Sequence, residues 1–169
     1  KRPYFNPLIV HFSSQDSLAA TVVFSEQAKR LAQAFWPGAL TMVLPRKSNC
    51  QVSLLASAGL KTLAVRIPNH PLAHALMTAA DTPIAAPSAN YSGEISPSKA
   101  EHVLQSLGGK VDIVLDGGPC KVGIESTVID LSGSTPTLLR PGGIVREDLE
   151  KIIGPIILSD GSKGKINKI

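Results

Sequence analysis

Apolar residues along this chain fall into two patterns: short continuous runs, and longer stretches in which they recur every three to four positions. The runs read as strands. PLIVHF (residues 7–12) is bounded by proline before and serines after, LTMVL fills 40–44 and LAVRI fills 63–67. Shorter runs follow at 84–86, 113–115, 127–131 and 137–139. The periodic stretches read as helices. Ser25 is placed to cap the first, with Ala28, Leu31, Ala32 and Phe35 on one face as far as Trp36, and Pro37-Gly38 stops it. A second begins near Pro71, with Leu72, Ala75, Leu76 and Ala79 as its buried face. Ser96-Pro97 gives a cap and first turn to a third, whose buried face would be Ala100, Val103, Leu104 and Leu107 and whose end is Gly108-Gly109. The last spans 146–153 before Gly154. Helices separate some strands and hairpin-length links separate others. That order predicts an α+β fold: one twisted, mixed parallel and antiparallel sheet with flanking helices, rather than a strict doubly wound sheet.

Composition narrows this picture. With 169 residues the chain is one domain by length, and 43% apolar content can fill a core. Aromatics supply only 4%, so aliphatic side chains and alanine must build it. Net charge is +4, yet Lys151, Lys163, Lys165 and Lys168 lie near the C-terminus, so part of the excess belongs to a solvated tail. Residues 1–158 therefore read as the domain, and 159–169, rich in Gly, Ser, Lys and Asp, as a flexible tail or linker stub. Cys50 and Cys120 match no CxxC or zinc spacing and read as reduced thiols of a cytoplasmic protein. No apolar run approaches the ~18 residues of a membrane span, and no signal-like start is present.

Candidate chemistry sits where strands empty into polar loops. APSANYSG (86–93), followed by Ser96, offers three hydroxyls and the Asn90 amide, and taken alone such a loop is as well explained by turn shaping. DGGPCKVGIESTVID (116–130) is glycine-rich but carries neither a P-loop nor a GxGxxG pattern, and Glu125, Ser126 and Thr127 add polar groups where it meets a strand. Arg66 lies inside an apolar strand, where an unpaired charge is costly, so its partner is either a buried carboxylate or an anionic substrate. Arg140 precedes Pro-Gly-Gly, and Arg2 precedes a proline; guanidinium groups suit carboxylate and phosphate, though structural salt bridges explain either as well. No Ser-His-Asp set, HExxH or close carboxylate pair stands out, so no catalytic residue and no metal ligand is assigned. The constellation is one of binding and positioning, as in phosphoryl or nucleotidyl transfer.

Taken in order, KRPYFNPLIVH (1–11), FWPGALTMVL (35–44), LAVRIPNHPLA (63–73), PIAAPSANYSG (83–93) with Ser96-Pro97, DGGPCKVGIESTVID and LRPGGI (139–144) resemble the YrdC family of threonylcarbamoyl-AMP synthases. Six segments in sequence make the resemblance specific where each alone is weak. It implies a concave pocket holding ATP, L-threonine and bicarbonate, with Mg²⁺ accompanying the triphosphate. In such enzymes threonine's amine is carboxylated, and the carbamate attacks the α-phosphorus of ATP and releases pyrophosphate. The product feeds N6-threonylcarbamoyladenosine formation in tRNA through a separate transferase.

Carried over motif by motif, the resemblance implies nucleotide contacts at Arg2, Asn6, Thr62, Ser88, Ser96 and Arg140, and threonine-side contacts at His11, Arg66, Ala86 and Ser126. Family members also carry, ahead of the region matched here, a strand and loop reading like PTxTVYGL and a lysine two positions before the arginine of the RP pair. Either a preceding segment supplies these or the pocket lacks them. Longer members add a C-terminal domain through a linker. Two other readings share the fold: a non-catalytic module binding double-stranded RNA, and the carbamoyl-transfer module of hydrogenase-maturation proteins, which sits in long chains with zinc-finger cysteines.

Overall fold

A computed structural model describes residues 6–121 and 123–159. Arg2 and the tail beyond 159 lie outside the described residues. Among the described residues seven strands form one sheet, β1 (Ile9–His11), β2 (Leu40–Pro45), β3 (Thr62–Arg66), β4 (Ile84–Ala86), β5 (Thr127–Asp130), β6 (Thr137–Arg140) and β7 (Ile157–Leu158), in the order β4-β1-β3-β2-β5-β6-β7. The pairs β1/β3, β2/β5 and β6/β7 are parallel, and β1/β4, β2/β3 and β5/β6 antiparallel, so the sheet is mixed as expected.

One face of the sheet is closed by helices α1 (Gln15–Ala19), α2 (Glu26–Phe35) and α5 (Arg146–Ile153). Ser25 accepts a hydrogen bond from the Ala28 amide at 3.2 Å, satisfying one of the free N–H groups that open α2. The predicted stripe of Ala28, Leu31 and Ala32 is fully buried against Leu149 and Ile153 of α5 and against Val10, Met42, Leu63 and Ile129 of the sheet. Each large aliphatic side chain so buried contributes roughly 1.5–3 kcal/mol. Phe24 meets Trp36 edge to face at 6.2 Å, and the indole N–H donates to the Leu40 carbonyl at 2.7 Å.

Three expectations are corrected. Residues 113–115 form no strand; Ile113 is 77% exposed and Leu115 is exposed too. In α3 (Pro71–Ala80) the predicted face of Leu72, Ala75, Leu76 and Ala79 points to solvent, and Met77 is the buried residue instead. Ser96 does not cap α4 (Ala100–Leu107); Lys99 stands at that position, and the helix buries none of its residues fully. The periodicities of α3 and α4 are real, but among the described residues no element covers those faces. Two elements went unpredicted: α1, too short for a repeat to register, and the two-residue β7.

Candidate active site

The other face of the sheet is a floor rather than a core. Side chains alternate along strands, so while Val10, Met42, Leu63 and Ile129 enter the core, Ile9, Val43, Ala64, Val128 and Leu139 form a second, smaller apolar cluster. This cluster lies beneath a cavity of about 850 Å³, and Ile9, Val128 and Leu139 line it directly. His11, Arg66 and Ser126 follow the same alternation and reach the same side.

His11 and Arg66 are register partners on the paired strands β1 and β3. The Arg66 Nε donates to the Gly38 carbonyl at 2.8 Å. Gly38 itself is fixed by Gly38 N–H donating to Ile67 O at 2.9 Å, and a Cβ there would stand 2.2 Å from the Phe35 carbonyl oxygen. FWPG therefore serves Arg66 as well as ending α2. No carboxylate pairs with Arg66 among the described residues. Burial, and then the nearby Arg140 guanidinium, hold its pKa below the usual arginine value. Burial first and the positive charge of Arg66 second push the His11 imidazole down to about 4, opposed by backbone hydrogen bonds to Ile84 and Ile9. Its Nδ1 lies 3.3 Å from the Ile84 carbonyl oxygen. The imidazole is thus neutral at pH 7, and Arg66 is the charge on this side.

The opposite wall is built by β5 and β6. Val128 pairs with Arg140 and Ile129 with Leu138, so β6 holds one extra residue at this point, a β-bulge. Without it Arg140 would share the core face with Leu138; the bulge turns Leu139 and Arg140 together toward the cavity. Arg140 is anchored twice on Ser126, Nε to its carbonyl at 3.1 Å and Nη2 to its hydroxyl at 3.0 Å. Ser126 Oγ in turn lies 2.8 Å from the buried Thr41 hydroxyl. The remaining Arg140 Nη1 pairs with Glu125. The Pro-Gly-Gly turn locks this wall: a Cβ on Gly142 would come within 2.4 Å of Glu125 O and Thr127 N. Gly143 N–H donates to Glu125 O at 3.1 Å, and Thr127 Oγ1 both donates to Ile144 O and accepts from Ile144 N–H.

The rim is the loop from Pro87 to Lys99. Asn90 Nδ2 donates to the carbonyls of Tyr91 at 2.8 Å and Glu94 at 3.0 Å, while its buried Oδ1 has no protein partner. The Ser106 hydroxyl of α4 donates to Glu94 at 2.7 Å and Cys120 N–H to Ser98 O at 2.8 Å, tying the rim to α4 and to the DGG loop. Ser96, freed from capping, donates to Glu125 Oε1 at 2.8 Å. Asn6, His11, Arg66, Ala86, Ser88, Ser96, Ser126 and Arg140 all line this one cavity. Thr62 does not; it shares the face of Arg66 but sits at the opposite end of β3. Sequence reasoning noted Glu125 only as a polar group and passed over Thr41, whose one signal is a hydroxyl interrupting the apolar run LTMVL.

The carboxylates of the lining are separately engaged: Glu94 with Ser106, Asp116 with the Gly118 amide at 2.8 Å, and Glu125 with Arg140 and Ser96. No group of three or more His, Cys, Asp or Glu among the described residues is arranged to hold a metal ion. No helix among them is long and apolar enough to cross a membrane.

The sequence and the fold are shared with known proteins. The chain is 50% identical to the threonylcarbamoyl-AMP synthase of Bacillus subtilis over 161 residues, covering 95% of this chain and 46% of that protein. The crystal structure of Pyrococcus abyssi Sua5 complexed with L-threonine superposes with a TM-score of 0.90 at 46% identity, covering 94% of this chain and 46% of the other. Escherichia coli YciO superposes with a TM-score of 0.74 at 26% identity, covering 83% of this chain and 68% of the other. The chain spans about half the length of the Bacillus subtilis protein and of the curated relatives from Pyrococcus abyssi and Schizosaccharomyces pombe. The Sua5/YciO/YrdC family model, described as "Telomere recombination", matches residues 1–142. The fold is thus shared with these structures, and the chain belongs to the Sua5/YciO/YrdC family.

Proposed function

We propose that this chain forms threonylcarbamoyl-AMP from L-threonine, bicarbonate and ATP, as a nucleotidyltransferase. The observation that carries this reading is Arg66: a part-buried guanidinium beside a second guanidinium, with no carboxylate partner among the described residues, facing a cavity. Such a charge is expensive unless an anion joins it. The threonine carboxylate supplies that anion, with neutral His11, the backbone at Ala86 and Ser126 around it. Arg140, Ser88 and Ser96 face the phosphates, with Asn6 and Arg2 completing the nucleotide side; Thr62, on the same face of β3 but outside the cavity lining, stands apart from them. The amine of threonine adds to carbon dioxide from bicarbonate; the resulting carbamate oxygen bonds to the α-phosphorus as the bond to pyrophosphate breaks. The chain's contribution is to hold the two reactants in line and to balance charge.

Since the lining carboxylates do not cluster, Mg²⁺ has no protein-built site among the described residues, and any ion would enter on the triphosphate oxygens. The product would pass, in the cytoplasm, to a separate transferase acting on tRNA. Double-stranded RNA binding would draw on exposed basic side chains rather than on Arg66 and Arg140, which line the cavity. The test is pyrophosphate release by the purified chain with ATP, L-threonine and bicarbonate, omitting each in turn. Release that depends on all three is expected, and release indifferent to threonine refutes the reading.

A further inference from the structure

We propose that Glu125 is an internal competitor for the phosphate seat of the cavity, its carboxylate standing between Arg140 and Ser96 where an anionic ligand's oxygens would lie. The proposal rests on the reading of that wall as the ATP side. Two of the three side chains expected to face phosphate are taken by this one carboxylate: Arg140 Nη1 pairs with it, and the Ser96 hydroxyl donates to its Oε1 at 2.8 Å, while Ser88 is left to the ligand. Glu125 does not supply Arg140 with its orientation, because two bonds to Ser126 already fix the guanidinium plane. What Glu125 adds is occupancy.

Its place is set from behind. The Glu125 carbonyl is clamped by the Gly143 amide, and the close approach of Gly142 leaves that stretch of backbone no room to shift. The side chain, by contrast, is 44% exposed, so it can swing to water without stranding a buried charge. Arg66 offers the contrast within one cavity: no described carboxylate masks it, so it stays open to a singly charged carboxylate. Displacing Glu125 costs every anion the same amount. A ligand with many further contacts, such as ATP, absorbs that cost, while free phosphate or bicarbonate does not. The mask thus keeps small anions off Arg140 without closing the seat to the nucleotide.

The test uses the whole chain and two probes, inorganic phosphate and ATP, titrated calorimetrically into the wild type, E125Q, E125A and the double variant E125A/R140A. E125A should bind both probes more tightly by about fivefold, the scale of releasing one partly exposed ion pair. E125Q, which keeps the shape but loses the charge, should shift the same way by less and guards against a folding defect in E125A. The double variant should lose the gain. Weaker or unchanged phosphate binding in both single variants overturns the proposal, since a residue that merely positions Arg140 can only weaken binding when removed. If phosphate binding tightens as expected but ATP binds none of the proteins, the competitor stands and the ATP reading fails. If the wild type releases pyrophosphate in a threonine-dependent way while phosphate affinity ignores Glu125, only the competitor fails. Should no variant bind either probe, both fall.

Discussion

The two faces of the sheet use the same strands and nearly the same residue types, yet one is sealed and the other is not. On the sealed face Val10, Leu40, Met42, Leu44, Leu63, Val65, Ile129 and Leu138 meet helices whose apolar stripes complete the core. On the open face the floor residues Ile9, Val43, Ala64, Val128 and Leu139 are smaller in number, and polar groups stand at their edges: His11, Arg66, Ser126 and Arg140. Stability belongs to the first face and, on the proposed function, recognition to the second. The separation follows from period-two alternation, since one residue's step along a strand decides which task a side chain serves.

Two substitutions should pull the faces apart. Leu44→Ala on the sealed face removes a fully buried side chain and should cost about 2–5 kcal/mol of unfolding free energy, read by urea denaturation. In whatever fraction remains folded, ATP affinity should be unchanged. Arg66→Ala on the open face should do the reverse. It breaks one described hydrogen bond, to Gly38, and relieves the repulsion with Arg140, so the urea midpoint should barely move. Threonine-dependent pyrophosphate release should fall about a hundredfold or more, the loss of a charge-assisted substrate contact. A large stability loss with turnover retained would place Arg66 on the structural side and dissolve the comparison.

The sealed face was legible from the sequence because both halves of each contact announce themselves: Ser25 starts α2, its stripe repeats, and the strands it covers are apolar throughout. The open face was legible only in part. Periodicity in α3 and α4 says which residues share a side, not whether anything lies against it, so Leu76 and Leu104 read as core and are exposed. Ser96-Pro97 is a good local cap signal that lost to a partner 29 positions away, Glu125. The bulge that aims Arg140 leaves no trace in the letters TLLR. Eight of the ten residues singled out through the ordered motifs line one cavity, while Thr62 does not and Arg2 lies outside the described residues; a loop such as PSAN or GIEST carries no distinguishing physical signal by itself.

His11 sits on the boundary, its ring on the open face but largely desolvated. Its pKa, pushed down to about 4, lies below the ordinary histidine value near 6.5 that the unfolded chain would show. Between those values the unfolded chain takes up a proton that the folded chain refuses, so stability is full above pH 6.5 and falls as the pH drops toward 4. His11→Gln should flatten that fall. Comparing urea midpoints at pH 7 and pH 4.5, the variant should lose about 2 kcal/mol less than the wild type. Parallel losses in the two proteins would mean that the imidazole is freely protonated in the fold.

The smallest expected effect tests the uncovered helices. Leu104 of α4 is 55% exposed and belongs to neither apolar cluster, although its spacing from Ala100, Val103 and Leu107 is that of a buried stripe. Leu104→Ser gives up little burial and exchanges a good helix former for a slightly poorer one, so the unfolding free energy should change by less than about 0.5 kcal/mol. The same substitution at Leu31, identical in chemistry and on a helix of similar amphipathic pattern, removes a fully buried side chain and should cost several times more. The ratio of the two losses measures what separates the faces. If Leu104→Ser proved as costly as Leu31→Ser, α4 would have a covering surface and the cavity side of the sheet would be as closed as the other.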